Sequence, residues 1–123
     1  MPKSPKIIWA KEPKEHDYPA AASYLSLIYP PKVTKRLVKE LRRAPMVEYH
    51  SKDVFRASRL PLLGATNLHV KKVRAKISQG QALSPILLVR NEANGKVVIA
   101  DGFHRMCAVY SFDEDEMLPC KIV

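Results

Sequence analysis

The chain predicts an α/β fold (α+β in some schemes), a small mixed sheet with helices packed on it. Three observations carry this. Ile86–Arg90 and Val97–Ala100 are short apolar runs bounded by turn residues, the pattern of buried strands. Apolar residues elsewhere recur at three- and four-residue spacing, as on one face of a helix. The second strand also runs into Asp101-Gly102 and then a helical stripe of Phe103, Met106, Cys107 and Tyr110, a strand, tight turn and helix in succession.

A length of 123 residues suits one compact domain with a modest core. With 46% hydrophobic and 27% charged residues, the composition is that of a soluble globular protein. No apolar run is long enough to span a bilayer. The start, Met1-Pro2-Lys3-Ser4-Pro5-Lys6, does not read as a signal peptide, so a cytoplasmic protein without a membrane partner is expected. Cys107 and Cys120 lack metal-motif spacing and read as reduced core thiols. The net charge is +9, unevenly placed: residues 1–80 hold 17 Lys/Arg against 6 Asp/Glu, and residues 81–123 hold 4 against 6. A basic front half points to an anionic partner: a nucleotide, DNA or RNA, or an acidic protein.

Residues 1–16 read as an extended basic arm, rich in Pro and Lys, that Ile7-Ile8-Trp9 could pin to the domain. Residues 17–45 read as a helical pair. The first helix is expected to start at Asp17 as N-cap, with Pro19 in its first turn and Ala21, Tyr24, Leu25 and Ile28 buried. Tyr29-Pro30-Pro31 ends it. The second runs from about Lys32 to Arg43, with Val33, Leu37 and Leu41 inward and Lys35, Lys39 and Arg42 outward, until Pro45 stops it.

Residues 46–123 form the rest of the domain. Met46–Tyr49 is a candidate strand, Asp53–Arg56 a single helical turn, and Leu60–Gly64 a loop with apolar anchors. Asn67 has the place of an N-cap for a helix with Val70, Val73 and Ile77 inward and Gly80 at its C′ position. Its outer face carries Lys71, Lys72, Arg74 and Lys76, the densest basic patch in the chain. Asn94-Gly95 predicts a tight hairpin between the two buried strands. Asp113-Glu114-Asp115-Glu116 reads as an exposed loop, and Leu118–Val123 as a last strand.

Two readings of the Asp101–Arg105 turn stand side by side. His104 and Arg105 occupy the first turn of a helix, where the macrodipole, roughly half a positive charge, opposes cations. Free backbone N–H groups, a glycine and an arginine together describe an anion site. Alternatively, Asp101 caps the helix and pairs with Arg105 four residues on.

The order helix, Ser84-Pro85-Ile86 strand entry, Asn-Gly hairpin, strand, Asp101-Gly102-Phe103-His104-Arg105 with Ala108, and closing Leu118-Pro119-Cys120 strand resembles the ParB/sulfiredoxin superfamily over roughly residues 46–123. ParB-like domains carry Gly-x-Arg-Arg at this turn; sulfiredoxins carry Gly-Cys-His-Arg. The resemblance implies that Gly102, Phe103, His104 and Arg105 cradle the phosphates of ATP, ADP or CTP. It implies that Asp101 orients the turn or, through water, a Mg²⁺ ion, and that Asn67, His69 and Lys72 lie near the phosphates. Phe103 stands where sulfiredoxin has its nucleophile, so sulfiredoxin activity is not expected. The chain ends before the further nucleotide motif and helix-turn-helix of ParB, so a site-specific DNA clamp is not expected either.

The leading expectation is a nucleotide-phosphate-binding domain, as a phosphotransferase or nucleotide hydrolase, with Asp101, His104, Glu48 and Asp53 as candidate catalytic groups. Its alternatives are a nucleic-acid-binding module, with or without nuclease activity, using Lys71, Lys72, Arg74 and Lys76, and an inactive interaction domain.

Overall fold

A computed structural model describes residues 5–123; the first four residues of the basic arm lie outside the described residues. Five α-helices and a four-stranded mixed sheet are present among them. The elements are α1 (Asp17–Leu25), α2 (Pro31–Arg43), β1 (Val47–His50), α3 (Ser51–Ser58), α4 (Leu68–Ser78), β2 (Ile86–Asn91), β3 (Lys96–Asp101), α5 (Phe103–Phe112) and β4 (Met117–Ile122). The sheet order is β1-β4-β2-β3. The β1–β4 and β2–β3 pairs are antiparallel and the β2–β4 pair is parallel.

β2 is the strand on which the layers meet. Its Ile86 and Leu88 enter a core with α3, α4 and α5, which also takes Ile99, Met106, Cys107, Ala108, Val109, Leu118 and Cys120. Its Leu87 and Val89 enter a second core on the opposite face, with Tyr18, Ala21, Leu25, Leu37 and Leu41 of α1 and α2. Helices cover both faces, so the strand reads as a continuous apolar run instead of alternating.

The helical pair departs from its predicted stripe. Tyr18, Ala21 and Leu25 are buried, whereas Tyr24 and Ile28 are 41% and 43% exposed. Asp17 is not the N-cap: His16 holds that position, and no side chain caps α1. Asp17 is instead 3% exposed and accepts hydrogen bonds from the Lys14 backbone N–H (3.0 Å) and the Ser84 hydroxyl, tying α1 to the entry of β2. Arg42 points outward, pairs with Glu15 and lies 4.4 Å over the Tyr18 ring.

The arm is docked over its described part. Trp9 bridges Leu83 in parallel, with Ala10 N–H donating to Leu83 O and Leu83 N–H to Ile8 O, each at 2.8 Å. The Asp53 turn grows into the two-turn helix α3, because Ser51 at its start reaches the acidic loop: its hydroxyl donates to Glu114 O (2.7 Å), and Lys52 Nζ meets Asp115 at 2.6 Å. Asp113–Asp115 are exposed, as expected. The hairpin is wider than a two-residue turn. Glu92–Asn94 form a short 3₁₀ turn, and only Gly95 takes the left-handed conformation (φ 61°).

Candidate functional site

The site region is set by three adjoining elements: the end of β3, the start of α5 and one face of α4. α4 begins where Asn67 Oδ1 accepts from the backbone N–H groups of His69 (3.0 Å) and Val70 (3.2 Å), so Asn67 serves as the predicted cap. Gly80 (φ 73°) closes its far end, its N–H donating to Ile77 O at 3.0 Å. Val70 and Ile77 bury, which turns His69, Lys72 and Lys76 toward the start of α5. α5 starts at Gly102, which occupies the N-cap with φ 106° and provides no side-chain cap. The first N–H groups of an α-helix have no intrahelical partners, so this end presents donors.

Asp101 does not cap the helix. It ends β3 and accepts from Arg105 Nη2 at 2.9 Å, the pair predicted four residues apart. The same Nη2 donates to Pro85 O at 3.2 Å, while Arg105 Nε is buried without a partner among the described residues. The guanidinium therefore curls back under the turn. A Cβ on Gly102 would lie 2.6 Å from Ile86 Cδ1 and 2.9 Å from Arg105 Nη2. The positive φ alone thus favours glycine here, and a side chain would also have to push aside the ends of Ile86 and Arg105.

A cleft of about 280 Å³ opens between α4 and α5, lined by His69, Lys72, Val73, Lys76, Asp101, Gly102, Phe103, His104 and Arg105. The His69 and His104 rings meet at a 41° tilt with centroids 4.8 Å apart, and Phe103 flanks His104 at 5.8 Å. Burial lowers the His104 pKa below the usual histidine value, and His69 and Arg105 lower it further. Burial raises the Asp101 pKa, while Arg105 opposes that rise. Positive charge dominates the cleft, and its single carboxylate is already tied to a guanidinium.

The structure thus gathers His69, Lys72, Asp101, Gly102, Phe103, His104 and Arg105 around one space. Asn67 contributes from outside it, as the cap of α4. Lys76, predicted only for the nucleic-acid patch, lines the cleft, and the signal for it was present: His69, Lys72 and Lys76 at i, i+3 and i+7 share a helix face. Lys71 and Arg74 belong to other faces. Arg74 bonds Ser111 and stacks 4.0 Å over the Phe112 ring. Glu48 is exposed on β1, and Asp53 lies 3.8 Å from Arg56 on α3. Asp53 borders a separate, mainly apolar cavity of about 230 Å³ with Tyr49, Leu88, Arg90 and Ile122, so neither acid reaches the cleft. No group of three or more His, Cys, Asp or Glu side chains among the described residues could hold a metal ion.

Cys107 and Cys120 are free and buried. Burial raises both thiol pKa values, that of Cys120 to about 12, which makes them inert core groups. No helix among the described residues is long and apolar enough to cross a membrane. Compared with protein-family models, with curated proteins and with solved structures, the chain finds no match in any of the three.

Proposed function

We propose that this protein binds nucleotide phosphates in the cleft between α4 and the start of α5. The observation that carries the reading is convergence: His69, Lys72 and Lys76 from one helix meet His104 and Arg105 from another, over a helix start that no side chain caps. A phosphate there would accept from the backbone N–H groups of α5 and lie at the positive end of its dipole. Lys72 and Lys76 add point charges. Burial, His69 and Arg105 disfavour the charged form of His104, and an anion beside it would oppose that preference.

The likeness of Gly102–Arg105 and its neighbours to the ParB/sulfiredoxin superfamily supports the same site and names the ligand class: ATP, ADP or CTP with Mg²⁺. A metal ion would come to this cleft only on the nucleotide's own phosphates, since Asp101, the one acid lining it, is paired with Arg105. Phosphoryl transfer or hydrolysis needs mainly positioning and positive charge. Of the four candidate catalytic groups, Asp101 and His104 are at the cleft, so a proton-transfer role falls to them. Two free buried thiols fit a reducing compartment such as the cytoplasm. The nucleic-acid reading draws less support, because Arg74 is engaged with Ser111 and Phe112 and the basic face of α4 is divided.

The test is a calorimetric titration of ATP, ADP, CTP and GTP, each with Mg²⁺, into the parent protein, Lys72→Ala and His104→Ala. One nucleotide should bind, and each variant should weaken it roughly tenfold, the loss of a charge-assisted contact. Failure of all four to bind, or full affinity in both variants, overturns the proposal. Arg105→Ala is a poorer probe, since Arg105 also holds Asp101 and Pro85.

A further inference from the structure

We propose that the cavity between α3 and the sheet binds a free apolar α-amino acid, with its side chain in the cavity, its carboxylate on Arg90 and its ammonium on Asp53. This cavity shares no lining residue with the α4–α5 cleft, so the two sites stand or fall separately.

All four strands contribute to the floor. Leu88 and Val97 pack in the core beneath α3, α4 and α5. Arg90 lies two residues past Leu88 on β2 and opposite Val97 in the β2–β3 register, and strand alternation sets its side chain on that same face. Tyr49, opposite Leu118 of the same core, stands there too, and Ile122 of β4 completes the floor. The roof is α3, where Val54 is buried and Asp53 and Ala57, four residues apart, share one flank. The enclosed space is about 230 Å³. That is below the roughly 300–1,000 Å³ typical of drug-sized ligands and suits a single amino acid.

Three polar side chains interrupt the apolar lining, and they carry both signs of charge. The Arg90 guanidinium and the Tyr49 hydroxyl make no hydrogen bond, ion pair or ring contact with another described residue. The Asp53 carboxylate lies 3.8 Å from Arg56, beyond hydrogen-bond length, and their side chains are 53% and 78% exposed. Such loose surface pairs contribute little, so Asp53 keeps its capacity to accept. No ion pair joins Asp53 to Arg90, although both border one small space. A lone anion would be opposed there by Asp53 and a lone cation by Arg90. A molecule with both charges on neighbouring atoms satisfies both walls. Arg90 and Tyr49 donate to its carboxylate, Asp53 accepts from its ammonium, and Val54, Leu88, Val97 and Ile122 receive its side chain.

The experiment follows the backbone amide signals of the full chain by NMR during titration with L-leucine, L-phenylalanine and glycine. It then takes the amide and N-acetyl derivatives of whichever amino acid binds. L-leucine or L-phenylalanine should bind and shift the signals of Ala57, Leu88 and Val97, and glycine should not. The amide lacks the carboxylate and the N-acetyl form the ammonium, so each should bind at least roughly tenfold weaker. Asp53→Asn should weaken the amino acid by a similar factor and leave the N-acetyl form unchanged. Arg90→Gln should do the same while leaving the amide form unchanged. Lys72→Ala should alter nothing. Thermal melts confirm that each variant folds. The proposal is overturned if neither apolar amino acid binds, or if both derivatives bind as tightly as the amino acid. Parent affinity kept in both Asp53→Asn and Arg90→Gln overturns it as well, and a loss in Lys72→Ala would move the ligand to the other cleft.

Discussion

His104 concentrates the electrostatics of the cleft. Its charged form is disfavoured by burial first, then by His69 and Arg105. Its folded-state pKa therefore lies below the unfolded value of about 6.5. The sign follows: the stability it contributes is fully present above pH 6.5 and is lost as pH falls through the lowered folded value, because the unfolded chain then binds the proton more readily. An anion reverses the local preference by favouring the imidazolium. Nucleotide affinity should therefore rise as pH falls from 8 toward 5.5, and His104→Ala should flatten that dependence. Calorimetric titrations at three pH values check it, and a slope retained in the variant would assign the proton elsewhere. Arg105 and Gly102 are bound up with packing as well as with any ligand. The glycine is favoured by its φ of 106° and crowded by the ends of Ile86 and Arg105, and the arginine is held by Asp101 and the Pro85 carbonyl.

At the scale of elements, α4 is the piece on which the site depends most. Asn67 satisfies two N–H groups at its start, and His69 lies within that first turn. Asn67→Ala should cost about 1 kcal/mol in urea denaturation and, by fraying the turn that carries His69, weaken nucleotide binding more than its distance from the cleft implies. Much of α4 was legible in the sequence, because caps and periodicity are local properties: the Asn67 cap, the Gly80 stop and the buried Val70 and Ile77 all stand as expected. Asp17, expected as a cap, and Asp101, for which capping was one of two readings, both fail to cap for one shared reason. A carboxylate beside a helix start satisfies the same local pattern whether it bonds the helix or a distant group. Here the distant groups, Ser84 and Lys14 for one and Arg105 for the other, take it. Asn94-Gly95 likewise signalled a hairpin correctly while leaving its width to the pairing of β2 with β3.

Across the whole molecule, one strand joins two cores. β2 is buried on both faces, so α1 and α2 are not an appendage to residues 46–123 but the cover for one side of their sheet. Leu25→Ala empties part of that cover and should cost about 2–5 kcal/mol. Trp9 packs against the core on the other face, giving an optical probe of the opposite layer. Trp9 fluorescence and far-ultraviolet circular dichroism should lose structure in one coincident transition, in the parent and in Leu25→Ala alike. Separate transitions would show that the helical pair unfolds independently.

The sequence by itself determined the α/β class, the four strands, the α4 and α5 stripes and the glycine, histidine and arginine gathered at Gly102–Arg105. Each of these follows from residues within a turn or two of one another. Only the tertiary structure decided that α1 and α2 form a second core, that Arg105 turns inward, that Glu48 and Asp53 stand away from the cleft, and that Asp53 shares a separate cavity with Arg90. Those relations join residues distant in the chain, Asp53 and Arg90 among them. They are set by which faces of β2 and β3 the helices cover, and no local pattern of spacing or propensity encodes that choice.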